Sequence, residues 1–238
     1  MKRVLLSTIC FLLLLTAANL PAFAGEIIDG VVASVNHRPI LLSDWDEAVR
    51  FEAFMQQKPI GQMTRADRTR ALQRLIDRQL LATQMGDAGY MQPSDDSLQQ
   101  DIDKLRAQVP DGKDDAAWQH LLARYGLDET VLKKHLRNEV QVMNFIDVRL
   151  RPNVHINDDD VAAYYKDQLV PDLQQNRAKT VPLSEVKNRI HELLTQQRVD
   201  EMLDVWLHNL RQQANIHSTV TIPGVNAPEN DAKAAGVN

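Results

Sequence analysis

Apolar side chains recur every three or four residues along most of the chain after Ser43, the spacing that places them on one face of an α-helix. Polar residues that can cap a helix, such as Ser43, Thr64 and Ser94, stand before several of these stripes. The longest stripes run from Asp128 to Leu150, where one member is Met143, and from Ser184 onward, where one member is Leu193. The pattern predicts a mostly α protein whose helices pack on one another.

A short β-branched segment precedes the first helical stripe. It extends from Ile27 to Val35, is interrupted by the polar residues 36–39, and resumes at residues 40–42. This arrangement predicts a small β-hairpin. Residues 214–218 follow the last stripe and can form an edge strand. We therefore expect a multi-helix fold with a small N-terminal hairpin that a C-terminal strand can join.

The first 24 residues have the three-part pattern of a secretory signal peptide. Positive charge at Lys2 and Arg3 is followed by an apolar run, and then by small residues around Phe23. The apolar run is shorter than the ~20 residues that a membrane-spanning helix needs. We expect cleavage after Ala24 and a periplasmic mature protein without a membrane anchor. Cys10, the chain's only cysteine, is lost with that segment.

Breaks in the helical periodicity divide the mature chain. Residues 25–165 read as one helical region, and periodicity fades over residues 166–181, where Pro171 and Pro182 bracket a polar linker. Residues 182–218 form a final helix and strand that we expect to pack back on the helical region. Residues 219–238 are predicted to be a disordered tail. The sequence does not decide the oligomeric state.

Charge and motifs exclude several function classes. The chain has 27 Lys and Arg against 32 Asp and Glu, whereas a nucleic-acid-binding surface is basic. It has no glycine-rich phosphate loop and no serine flanked by glycines in a nucleophile elbow. We therefore predict no nucleic-acid partner, no ATP-driven mechanism, no catalytic residue and no cofactor.

Metal binding is not predicted either. His191-Glu192 begins like a zinc-protease helix, but Thr195 occupies the position of the second imidazole. The acidic run at residues 157–160 lacks the glycine and glutamate of a calcium loop and is better explained as a helix cap. The other histidines show no paired ligand spacing and are predicted to be surface or capping residues: His37, His120, His135, His155, His208 and His217.

Large apolar side chains cluster near the ends of the first two predicted helices. Methionine is flexible and polarizable, so a methionine-rich surface can adapt to many apolar partners. We take as candidate client-binding residues Phe51, Phe54, Met55, Ile60, Met63, Met85, Tyr90 and Met91. The alternative is that these side chains complete the core, since large exposed apolar patches are uncommon in monomers.

Five blocks in order along the chain carry a family resemblance. They are Gly30–Asn36, Pro39–Asp44, Ala71–Leu81, Ala162–Tyr165 and Pro182–Val186. Together they resemble the SurA family of periplasmic chaperones. The family pattern implies an N-terminal helical region and a returning C-terminal helix, with parvulin prolyl-isomerase domains inserted between them. Here the insertion point, between Tyr165 and Pro182, holds only a short connector, too short for such a domain.

The resemblance implies a chaperone that captures unfolded outer-membrane or secreted polypeptides in the periplasm without catalysis. It does not assign the residues that touch a client. Two alternatives stay open: a peptidyl-prolyl isomerase of secreted proteins, and a non-catalytic adaptor that binds one folded periplasmic partner.

Overall fold

The computed structural model describes residues 29–86, 92–110 and 112–220. Over these ranges the chain is mostly helical, with one small three-stranded antiparallel sheet, as the sequence predicts. The predicted signal peptide, two candidate residues (Tyr90 and Met91) and the tail from residue 221 lie outside the described residues.

The sheet joins the two ends of the described chain. Its strands are β1 (Val31–Val35), β2 (Arg38–Leu41) and β3 (Ile216–Ser218), in the order β2-β1-β3. Asn36 and His37 form the hairpin turn with φ of 49° and 67°, the positive values that match the twist of the flanking strands. The predicted hairpin and its C-terminal third strand are therefore confirmed.

The helices follow the predicted stripes. They are α1 (Leu42–Met55), α2 (Arg65–Met85), α3 (Asp95–Ala107), α4 (Asp115–Arg124), α5 (Glu129–Leu150), α6 (Asp158–Tyr164), α7 (Val170–Gln175) and α8 (Leu183–Gln213). Short 3₁₀ turns occur at Ile60–Gln62 and Arg151–Asn153, and a π-helical turn at Tyr165–Leu169.

Three helix starts use predicted caps. The side chains of Thr64, Ser94 and Asn157 each accept the backbone N–H of the residue three positions on. The predicted cap at Ser43 is wrong, because Ser43 already lies inside α1. Its N–H and hydroxyl donate to Asp29, and the Asp44 carboxylate accepts the Leu41 N–H at 3.2 Å.

The predicted linker, residues 166–181, is helical over its first part. The π-helical turn and α7 continue directly from α6 as far as Gln175. Pro171 follows the π-helical turn and has no backbone N–H, so one helical hydrogen bond is missing where the two segments join. The Tyr165 hydroxyl donates to the Val181 carbonyl at 2.8 Å and so holds the segment's end against its beginning. Its role as the connector that replaces an inserted domain stays a prediction.

Three apolar clusters hold the fold together. The first, here called the distal core, lies among α1, α3, α4 and α5 and includes the fully buried Ile102, Trp118 and Leu132. The second lies under the sheet, where Ile40 and Leu72 pack with other side chains of β1 and α2. The third, here called the α5–α8 cluster, contains the buried Leu81 and Phe145 and the half-buried Met85, Val142, Ile146, Leu203, Trp206, Leu207 and Leu210.

The C-terminal helix returns to the N-terminal region, as predicted. Arg211 of α8 makes two hydrogen bonds to the Asp77 carboxylate of α2, with Nε to Oδ1 at 2.8 Å and Nη2 to Oδ2 at 2.5 Å. Beyond α8, Asn36 exchanges hydrogen bonds with the backbone of Asn215 at 2.9 Å. These contacts bring β3 beside β1 and close the fold.

Candidate functional site

A groove runs where α1, α2 and α5 meet. It consists of two adjoining depressions, of about 220 and 250 Å³, which share Leu75, Arg78 and His135 in their lining. We call the two together the central groove. Ala48, Ala71 and Ala82 also line it, and their small side chains let the three helices form a concave surface.

The lining of the central groove mixes apolar and charged side chains. Phe51, Met55 and Leu75 supply apolar surface, and the sulfur-bearing side chain of Met55 is 42% exposed. Met143 lies one helical turn after Glu139, a groove residue, on the same side of α5, and is 65% exposed. Two exposed methionines therefore stand near one end of the groove.

Ion pairs join each pair of helices around the groove. Arg74 of α2 binds Glu52 of α1 through two hydrogen bonds of 2.8 and 2.9 Å.

Arg78 of α2 lies 3.6 Å from the Glu139 carboxylate of α5. Glu47 of α1 accepts hydrogen bonds from Lys134 and His135 of α5, both at 2.9 Å. The walls of the groove thus carry paired charges, so it has neither a strongly positive nor a strongly negative surface.

Four groups that line the groove, Glu47, Glu52, His135 and Glu139, have shifted pKa values. Burial raises the pKa of Glu52 against the opposing effect of Arg74, and burial likewise raises the pKa of Glu139 against Arg78. Burial also acts to raise the pKa of Glu47, but Lys134 and His135 outweigh it and the net shift is downward. Shifted pKa values often cluster at functional sites, which favours this groove over other cavities.

His135 is buried, so the prediction of a surface or capping role for it is wrong. It is only 4% exposed and stacks on Phe51, with ring centroids 4.5 Å apart and planes at 11°. Its Nε2 faces the Glu47 carboxylate, whereas its Nδ1 is buried without a hydrogen-bond partner. Burial lowers the pKa of His135, although Glu47 opposes that shift. The imidazole is therefore held neutral at the centre of the groove.

The structure separates the candidate residues taken from the sequence. Phe51 and Met55 line the central groove. Phe54 lines a different cavity of about 710 Å³, between the end of α1 and α4, together with Tyr125 and Leu121. Phe51 and Phe54 are nonetheless only 4% and 5% exposed, so most of each ring belongs to the distal core.

The remaining candidates lie elsewhere. Met63 is buried in the distal core and Ile60 packs against it, which matches the alternative that these side chains complete the core. Met85 is half-buried in the α5–α8 cluster. Contact with a client stays a prediction for all of these residues, including Tyr90 and Met91.

Sequence reasoning missed several groove residues. The predicted inward stripe of the long helix includes Met143, which is exposed, and omits Glu139 and His135, which line the groove. One signal for them was available: His135 and Glu139 are four residues apart and so share one face of α5. Their partners, Arg78 and Glu47, come from other helices and cannot be read from that spacing.

Neither a metal site nor a membrane span is found among the residues that the structure describes. Within residues 29–86, 92–110 and 112–220, the acidic, histidine and cysteine side chains form no group of three or more able to hold a metal ion. Among the helices of these same ranges, none is both long and apolar enough to cross a membrane.

Comparison with known proteins supplies the family. A search of curated proteins gave no match. A family model described as the SurA-like N-terminal domain matches residues 1–146, a range that includes the hairpin, α1 to α4 and most of α5. The central groove is built entirely from this matched range. Because the match covers more than half of the chain, this protein belongs to the family of proteins with a SurA-like N-terminal domain.

Proposed function

We propose that this protein is an ATP-independent periplasmic chaperone that holds unfolded outer-membrane polypeptides in its central groove. The observation that carries the proposal is the composition of that groove: an apolar surface from Phe51, Met55 and Leu75 between walls of paired charges. Membership of the SurA-like family supports a role in binding polypeptide chains.

The groove fits the chemistry of an unfolded barrel strand. Such a strand alternates apolar and polar side chains and has unpaired backbone groups, and it aggregates through both. Methionines such as Met55 can adapt to apolar side chains of different shapes. Charged side chains such as Arg74 and Glu52 can exchange one partner for another at the groove wall. A client held by such weak contacts leaves when its own folding competes for the same surface.

The test is suppression of aggregation by the mature chain. An unfolded outer-membrane protein is diluted from denaturant at pH 7 with an equal concentration of the chain, and light scattering is recorded. We expect scattering to fall several-fold. In the Met55→Gln variant the concentration needed for half-suppression should rise several-fold, because the groove loses exposed apolar surface.

Leu193→Gln is the matched control. Leu193 lies on α8 away from the groove and is 41% exposed, close to the 42% of Met55, so the two substitutions remove similar apolar surface. Leu193→Gln should suppress aggregation as well as the unsubstituted chain. No suppression by the unsubstituted chain, or equal losses in the two variants, contradicts the proposal that the groove holds clients.

We further propose that this binding involves no catalysis. The groove contains a buried neutral imidazole and carboxylates that are each paired with a basic side chain. Holding a client does not require any of these groups to react. In a refolding reaction limited by proline isomerization, a slow step of tens of seconds or more, the chain should leave the rate at that of the uncatalysed reaction. A rate that grows in proportion to chain concentration identifies a prolyl isomerase instead.

A further inference from the structure

The protonation state of His135 follows from its contacts. Its Nε2 lies 2.9 Å from a Glu47 oxygen, and a carboxylate only accepts hydrogen bonds, so this nitrogen carries the proton of the neutral ring. Nδ1 therefore holds a lone pair, and it is buried without a donor to share it with. A second proton can be taken up only at this buried nitrogen.

Adding that proton is costly while the groove stays closed. The new Nδ1–H has no acceptor, and a buried donor without a partner is unfavourable. The positive charge also lies near the cations Arg78 of α2 and Lys134 of α5, and only Glu47 of α1 offsets it directly. Separation of α5 from α1 and α2 lets water hydrate the imidazolium and removes both penalties.

The other charged groups around the groove come from all the elements packed there. They are Asp44 and Glu52 of α1, Arg74 of α2, Glu139 of α5 and Arg38 of β2. At neutral pH Glu52 is paired with Arg74, and Glu139 lies 3.6 Å from Arg78. An imidazole that water can reach is the side chain whose charge changes on mild acidification.

We propose that His135 is a proton-controlled latch of the central groove. The neutral ring, stacked on Phe51 and bonded to Glu47, keeps α5 against α1, and the protonated ring favours a groove in which Phe51 is exposed. This regulation rests on the proposed function, because the central groove, whose apolar surface would increase, is the one we assign to clients. Mild acid should therefore increase the apolar surface that the chaperone presents.

The direction of the pH effect follows from the two states. Burial lowers the pKa of His135 in the closed groove, whereas in an open groove it returns toward the ordinary value of about 6.5. The open state thus binds the proton more readily. The closed groove is stable above that pH and loses stability as the pH falls below it. For one proton, the equilibrium constant for closing falls by at most about tenfold per pH unit.

Two carboxylates act in the opposite direction. The pKa values of Glu52 and Glu139 are raised in the closed groove, so the closed state takes up their protons more readily than the open state does. Acid therefore stabilises closure through these groups. The opening caused by His135 should begin below pH 6.5 and level off where the two carboxylates become protonated.

Hydrogen exchange of the full mature chain tests the latch without any client. The opening equilibrium of α5 is measured from amide exchange between pH 7.5 and 5.5, corrected for the intrinsic pH dependence of exchange. We expect opening to increase by up to about fivefold from pH 6.5 to 5.5, because the open-state imidazole is already half protonated at pH 6.5. His135→Gln keeps an N–H donor for Glu47 but cannot titrate, so its opening should not increase on acidification. His208→Gln, an exposed histidine on α8, should behave as the unsubstituted chain.

Two results of the exchange experiment would overturn the latch. A constant opening equilibrium in the unsubstituted chain, or an equal pH response in His135→Gln, overturns the latch. If His135→Gln does not fold, nuclear magnetic resonance of the unsubstituted chain decides. A His135 titration midpoint below about 6.5 supports the latch, and one at that ordinary value overturns it. Aggregation suppression at pH 7 tests the proposed function separately, so the two failures are distinguishable.

Discussion

The distal core and the α5–α8 cluster share one helix but differ in how completely they are buried. The first half of α5 places Leu132 in the distal core at 0% exposure, among side chains such as Trp118 and Leu122 that are equally enclosed. The second half contributes Phe145 to the α5–α8 cluster, where most neighbours are only half-buried. One helix therefore contributes to a fully buried cluster and to a partly exposed one.

The difference lies in the number of elements that cover each cluster. The distal core is enclosed by α1, α3, α4 and α5. Within the part of the chain that the structure describes, the α5–α8 cluster consists of side chains from α2, α5 and α8. Met143 and Val148 of α5 and Val205 of α8 are 63 to 65% exposed. We infer that the distal core supplies stability, while the central groove and the α5–α8 cluster leave apolar surface available to partners.

The largest expected effect compares one substitution in the two clusters. Leu132→Ala removes a fully buried side chain, and we expect the free energy of unfolding to fall by about 3 kcal/mol because a cavity remains in a well-packed site. Leu203→Ala removes the same atoms from a half-buried position in the α5–α8 cluster, and we expect a loss of about 1 kcal/mol. Urea unfolding followed by circular dichroism measures both. Equal losses would mean that the two clusters are equally well packed.

Local signals in the sequence were enough for the elements of this fold. Thr64, Ser94 and Asp128 cap the helices they precede, and the turn at Asn36 and His37 forms the predicted hairpin. These features depend on residues close in sequence, so a single chain contains the information for them.

Features that depend on distant partners were missed. Met143 belongs to an apolar stripe but is exposed, because α5 changes partners along its length and none covers that position. Leu193 of α8 belongs to a predicted stripe and is also exposed. His135 is buried because Phe51 and Glu47 of α1 meet it, and the spacing of residues along α5 cannot reveal contacts with another helix. The central groove therefore depends on contacts between helices that are distant in sequence.

The ion pair between α2 and α8 gives the next largest effect, because it holds the α5–α8 cluster closed on one side. Arg211 and Asp77 are 27% and 17% exposed, so Arg211→Met leaves a largely buried carboxylate without its partner. We expect the free energy of unfolding to fall by about 2 kcal/mol at pH 7. Hydrogen exchange should show that the loss of protection is concentrated in α8 and β3, since these elements are the ones that the pair anchors.

The pH dependence of that loss identifies its cause. Burial already raises the pKa of Asp77 against the effect of Arg211, so removing Arg211 raises it further. A raised pKa in the folded state means that the carboxylate destabilises the fold at neutral pH and that the penalty decreases as the pH falls. The deficit of Arg211→Met should therefore shrink in acid. Arg198→Met, which breaks an exposed ion pair with Glu201 on the same helix, should cost less than about 0.5 kcal/mol. A deficit that stays constant with pH, or equals that of Arg198→Met, would show that α8 is held mainly by its apolar contacts.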